Sequence, residues 1–194
     1  GFQFLVDFRR TVTVFGSAQA EKDDRWYKEA EKLALLLSEA EFGVVTGGGP
    51  GIMEAANRGA AEGKGDSIGL NIELPNEQRV NPFVQKSVGF HYFFVRKVML
   101  AYSAQAYVFF PGGFGTLDEF FELITLVQTK KIFAKIPIVL IGKEFWNPLL
   151  EWIKTDVYGK FKFIDKEDMC IYSIVDNAEE AFEIIKNSPE RKEF

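Results

Sequence analysis

Two glycine-rich turns, Gly47-Gly48-Gly49-Pro50-Gly51 and Pro111-Gly112-Gly113-Phe114-Gly115-Thr116, carry the residue types and spacing that hold an anion. Each follows a short apolar run, Phe42 to Thr46 and Ala106 to Phe110, and each precedes a segment with helical spacing. A strand, a tight glycine turn and a helix start present free backbone N–H groups at the positive end of the helix dipole. Glycine lets a ligand approach that backbone closely. Two such turns in one chain point to a phosphate-bearing ligand, most simply a nucleotide.

The second turn supplies more than a cradle. The Thr116 hydroxyl is placed to cap the following helix or to contact phosphate, and Asp118 and Glu119 are expected in that helix's first turn. Acids favour that position through the dipole alone. A carboxylate beside a phosphate also repels it, so a functional acid there would meet the sugar, or a water, beyond the phosphate. Spacing leaves Asp118 and Glu119 level as candidates, with Glu122 and Thr125 following at helical intervals. Arg96-Lys97 interrupts an otherwise apolar helix of Phe93, Phe94, Val95, Val98, Met99 and Leu100. The planar fork of Arg suits carboxylate or phosphate, and an Arg96–Glu119 pair would hold the carboxylate ionised. The single histidine, His91, beside Phe90 and Tyr92, reads as a hydrogen-bonded packing residue, and Cys170 has no partner pattern for a nucleophile. The aromatic residues read as core and subunit contact, with Phe90, Tyr92, Phe93 and Phe94 also able to wall a base pocket. The first turn lacks the third glycine of G-x-G-x-x-G, and neither turn carries Gly-Lys-Ser/Thr. Dinucleotide and P-loop readings therefore lose ground.

Alternating strands and helices must position these turns. Strands are expected at Thr11–Phe15, Phe42–Thr46, Ser67–Leu74, Val88–His91, Ala106–Phe110, Ile136–Gly142 and Ile171–Val175. Helices are expected at Asp24–Ala40, Ile52–Glu62, Phe93–Ser103, Leu117–Gln128, Pro148–Val157 and Ala178–Lys186, with Asn147-Pro148 as a start signal. A polar, proline-bounded loop spans Pro75 to Pro82. The alternation predicts an α/β fold with a doubly wound, mainly parallel sheet, both glycine turns lying at the carboxyl ends of strands.

A chain of 194 residues supports one well-filled core, and we read residues 1–194 as one domain with a motif-bearing core of about 11–187. The net charge of −5 and the absence of a dense Lys/Arg run argue against nucleic-acid binding. One cysteine excludes an intrachain disulfide, and no apolar run is long enough to span a membrane. Gly1 suggests a trimmed start, no secretory signal pattern is present, and a cytoplasmic location is expected.

The segments Gly47-Gly48-Gly49-Pro50-Gly51-Ile52-Met53-Glu54-Ala55 and Pro111-Gly112-Gly113-Phe114-Gly115-Thr116-Leu117-Asp118-Glu119 together resemble the LOG (Lonely Guy) family, once labelled lysine decarboxylase-like. The likeness runs from Val12 to about Trp152. It implies a Rossmann-like fold, an obligate homodimer assembled in some members into hexamers, and sites near the dimer interface. It also implies a phosphoribohydrolase that releases free base and ribose 5-phosphate from cytokinin riboside 5′-monophosphates or AMP. Carried over by position, Arg96 and Glu119 would be catalytic. Gly16, Ser17, Gly47, Gly48, Gly49, Met53, Glu77, Lys97, Gly112, Gly113, Phe114, Gly115, Thr116, Leu117, Asp118 and Thr125 would bind substrate. No metal or cofactor is expected, and no motif supports pyridoxal phosphate chemistry. The chain departs from plant-type members at Phe93-Phe94-Val95, where they carry Met-His-Glu, and in the loop Glu73 to Phe83. Both places concern base recognition, so the base stays open. The alternatives are a non-catalytic nucleotide or molybdenum-cofactor carrier on the same scaffold and, less favoured, a nicotinamide-dependent oxidoreductase.

Overall fold

The computed structural model describes residues 2–5, 8, 10–72, 80–132 and 136–188. Seven strands form one parallel sheet: β1 (Thr11–Phe15), β2 (Gly43–Thr46), β3 (Ser67–Ile72), β4 (Lys86–Phe90), β5 (Ala106–Phe109), β6 (Ile138–Ile141) and β7 (Ser173–Val175). Their spatial order is β4-β3-β2-β1-β5-β6-β7. The helices are α1 (Phe2–Leu5), α2 (Arg25–Glu39), α3 (Ile52–Glu62), α4 (Phe93–Tyr102), α5 (Phe114–Gln128), α6 (Lys143–Trp152) and α7 (Ala178–Ile185).

Residues of the central strands are apolar on both faces, as a sheet covered on both sides requires. The period of two divides them cleanly. Val12, Val14, Val44, Ala106, Val108, Val139 and Ile141 pack under α2, α3 and α7. Phe15, Val45, Ile68, Leu70, Tyr107, Phe109, Ile138 and Leu140 pack under α4, α5 and α6. The Asp24 carboxylate accepts the Trp26 N–H at 3.0 Å to start α2, and Asn177 accepts the Glu180 N–H at 2.9 Å to start α7.

Because β1 lies between β2 and β5, the chain winds one way from β1 and the other way from β5. The crevice of a doubly wound sheet opens at that reversal. Here the β1 and β5 loops are stitched together: the Ser17 N–H donates to Pro111 O at 3.0 Å, and the Ile52 N–H donates to Ser17 O at 2.9 Å. Gly51 makes this closure possible, since it sits at φ 69° and a Cβ there would collide with Ser17 O.

Two helix starts differ from expectation. α5 begins at Phe114 rather than Leu117, so Asp118 and Glu119 fall in its second turn, not its first. Gly115 reads as turn in sequence, yet a glycine near a helix start costs little. α6 begins at Lys143, after Gly142 at φ 101°, and Pro148 lies inside it. The carbonyl that Pro148 leaves without its helical donor belongs to the exposed Glu144. The chain then continues as a wider helix over Ile153–Lys160.

Candidate active site

The two glycine turns differ in what they do with their backbone. In the first, the Gly48 N–H donates to Thr46 Oγ1 at 2.9 Å, and Asn81 donates to Gly48 O at 2.9 Å and, through Nδ2, to Gly49 O at 3.0 Å. Asn57 anchors this set: its Oδ1 accepts from Thr46 Oγ1 at 2.6 Å and from Asn81 Nδ2 at 2.9 Å, while its Nδ2 donates to Ser67 Oγ at 2.9 Å. Gly48 is therefore held through both its N–H and its carbonyl, and Gly49 through its carbonyl. A Cβ on Gly47 would overlap the Arg96 guanidinium and lie 2.9 Å from Met53 Sδ. Gly47 thus makes room for Arg96, whose Nε donates to Leu70 O at 2.9 Å at the end of β3.

In the second turn the backbone is open. The Leu117 N–H donates to Gly113 O at 3.1 Å, so the amides of Phe114, Gly115 and Thr116 precede the first intrahelical bond. A Cβ on Gly113 or Gly115 would meet nothing within 4 Å, whereas one on Gly112 would strike Thr116 Oγ1. Thr116 is buried against Gly112. Phe114 projects outward, 91% exposed. Beside this turn a cleft of about 280 Å³ is lined by Ser17, Gln19, Ala20, Asp24, Trp26, Pro111, Gly112 and Phe145. Neither Arg96 nor Glu119 lines it. Gly16 supports this corner by abutting Ile52.

The acids of α5 separate clearly. Asp118 is exposed and accepts from Lys97 Nζ at 2.8 Å. Glu122 is half-buried and pairs with the same ammonium at 3.2 Å. Glu119, between them in sequence, is half-buried with Oε2 enclosed and unpartnered. Burial, then the neighbouring Glu122, push its carboxyl up to about 8, against the pull of Lys97 and Arg96. The expected ionised Arg96–Glu119 pair is therefore corrected. No ion pair joins the two: Arg96 donates through Nε to Leu70 O, and burial raises the Glu119 carboxyl toward its neutral form. Burial lowers the Arg96 guanidinium from its ordinary value, with Glu119 opposing. Lys97 goes the other way: burial opposes its charge, but Asp118 and Glu122 outweigh it.

Of the other expected residues, Leu117 is half-buried beside Glu119. Thr125 stands about 9 Å further along α5 than Glu119. Its hydroxyl donates back to Phe121 O at 2.7 Å, so it is not gathered at the turn. Glu77 lies outside the described residues. His91 is exposed rather than packed, and Cys170 is exposed and free. Phe90 is buried, whereas Tyr92, Phe93 and Phe94 are 65%, 58% and 67% exposed. Among the described residues no group of His, Cys, Asp and Glu gathers to hold a metal. The sequence reading passed over Asn57, Asn81 and Asn71, whose buried Oδ1 has no donor beside Gly48. The available signal was a polar residue on the buried, alanine-rich face of α3.

Residues 53–185 match the model of a family described as possible lysine decarboxylase. A rice (Oryza sativa subsp. japonica) relative named cytokinin riboside 5′-monophosphate phosphoribohydrolase LOG is 32% identical over 160 residues, 79% of this chain and 64% of its own length. The chain belongs to the LOG family. It spans 64% and 63% of the length of two of the rice LOG relatives it matches. A bacterial LOG-family relative from Rhodococcoides fascians, with the same phosphoribohydrolase name, is 27% identical over 75% of this chain and 74% of its own. The fold also matches the molybdenum cofactor binding protein of Rippkaea orientalis, with TM-score 0.68 and 21% identity over 92% of this chain and 96% of that one. At that identity the likeness concerns the fold of the LOG-family chain alone.

Proposed function

We propose that this protein is an enzyme that hydrolyses the N-glycosidic bond of nucleoside 5′-monophosphates, AMP or cytokinin riboside 5′-monophosphates among them, to free base and ribose 5-phosphate. The observation that carries the reading is the Glu119 carboxyl, its Oε2 enclosed and unpartnered, about one turn along α5 from the open amides of Phe114, Gly115 and Thr116. A phosphate on those amides is held by their N–H groups and by the helix dipole. Glu119 then lies about one turn along the axis, in reach of the ribose that the phosphate anchors. Because Glu119 starts protonated, its proton goes to the departing base as the C1′–N bond breaks and its electron pair moves to the base nitrogen. The carboxylate left behind faces the oxocarbenium-like ribosyl cation, and it takes one proton from the water whose oxygen bonds to C1′. Arg96, steadied by Leu70 O beside Gly47 and Met53, supplies a fixed cation for the ribose hydroxyls and Glu119.

The working unit in this reading is a cytoplasmic homodimer. Tyr92, Phe93, Phe94 and Val98 of the α4 segment and Phe114 and Phe121 of α5 form an exposed apolar flank next to the site. A second copy covering that flank would dry the cleft. Among the described residues no helix is long and apolar enough to cross a membrane. The test is incubation with a panel of purine and pyrimidine monophosphates, reading base and ribose 5-phosphate by chromatography. Binding without release of any base would favour the carrier reading instead.

A further inference from the structure

The enclosed oxygens of Glu119 and Glu122 are one helical turn apart on the same side of α5; that of Glu122 faces Lys97 Nζ at 3.2 Å, and that of Glu119 has no hydrogen-bond partner. The charged groups facing Glu119 are Arg96 and Lys97 from α4 and Asp118 and Glu122 from its own helix. Lys97 is already engaged twice, by Asp118 at 2.8 Å and by Glu122 at 3.2 Å. Among the described residues two cations and two anions therefore balance without Glu119, and a third anion would leave this half-buried set negative. Asp118 is 61% exposed and screened by water, whereas Glu122 is 27% exposed, so the fixed charge that bears on Glu119 is chiefly that of Glu122.

We propose that Glu122, clamped by Lys97, is a positioning residue that keeps the reactive proton on Glu119 until the departing base takes it. The proposal rests on the hydrolytic reading above for its consequence in turnover, but not for the proton itself. When the C1′–N bond breaks, the Glu119 proton passes to the base; when water adds to C1′, a water proton returns to Glu119, and Glu122 exchanges none.

The test is Glu122→Gln in the full chain, with two readouts. The first is a pH titration by NMR of protein labelled with ¹³C at the glutamate side-chain carboxyl, the Glu119 signal being assigned by its loss in Glu119→Gln. It should titrate near 8 in the wild type and fall by about one to two units in Glu122→Gln, a tenfold to hundredfold change in proton affinity. Glu122→Asp should restore most of the shift, and Lys97→Met should move it upward. The second is the pH profile of kcat/KM on AMP. Glu122→Gln should stay close to the wild type at about pH 5.5 and fall about fivefold to fiftyfold below it at about pH 8, where the two differ most in protonation. A Glu119 signal unmoved by Glu122→Gln, or a rate lowered equally at every pH, overturns the proposal. If no monophosphate is cleaved, the hydrolytic reading fails while the NMR titration still decides the role of Glu122.

Discussion

Replacing Glu119 by glutamine should stabilise the protein, and increasingly so as the pH rises. The folded chain holds the Glu119 carboxyl up to about 8, against 4.5 for an ordinary glutamate. Between those values the folded state binds a proton that the unfolded state has lost, so stability falls as pH climbs through the window and levels off above it. At about 1.4 kcal/mol per unit the full window amounts to about 5 kcal/mol, and the partial exposure of the carboxyl reduces the expected effect to about 2–4 kcal/mol. Glutamine has nearly the same shape and does not titrate. The unfolding free energy of Glu119→Gln minus that of the wild type should therefore grow by this amount from about pH 5 to about pH 8.5, or by roughly 4–16 °C in Tm. Urea denaturation of both proteins at several pH values measures it, and taking the difference cancels the other titrating groups. A difference that is flat with pH, or that turns toward the wild type as pH rises, refutes the claim that Glu119 is buried in its protonated form.

Three further outcomes are expected. Arg96→Ala should lower AMP turnover by at least ~100-fold through loss of positioning while costing no more than ~1.5–3 kcal/mol of stability, from the bond to Leu70 O; steady-state kinetics and a thermal melt check both. Gly115→Ala, whose Cβ meets nothing within 4 Å, should leave the fold intact, yet weaken ribose 5-phosphate binding in calorimetry. Unchanged affinity would remove the anion from that turn. Phe94→Asp, on the 67% exposed side chain, should convert a dimer to monomers in size-exclusion chromatography with light scattering.

Much of the scaffold could be read from residue types. The two-residue alternation of Thr11–Phe15 and the buried alanine stripe of Ile52–Glu62 gave both elements their bounds. Helix starts were harder, because Gly115 and Asn147-Pro148 carry local signals that the tertiary fold overrides. The start of α6 is set instead by Gly142, which packs on Trp26, a contact between residues far apart in the chain. The chemistry divides the same way. Arg96, Glu119 and the glycine turns stand out by type and spacing, but the choice of Glu119 over Asp118 depends on which acid α4 covers. Its raised carboxyl depends first on burial and then on the neighbouring Glu122. Neither cover nor burial is a property of spacing along α5. The Asn57 network that shapes the first turn is equally long-range, joining α3, β3 and Asn81.

The most direct measurement is the identity of the products formed from AMP by the wild type and by Glu119→Gln side by side, followed by liquid chromatography with mass detection. Adenine and ribose 5-phosphate in equal amounts from the wild type, with the variant slower by ~100- to 10,000-fold, is the predicted result. AMP recovered whole, adenosine with free phosphate, or equal adenine release from both proteins would contradict the account.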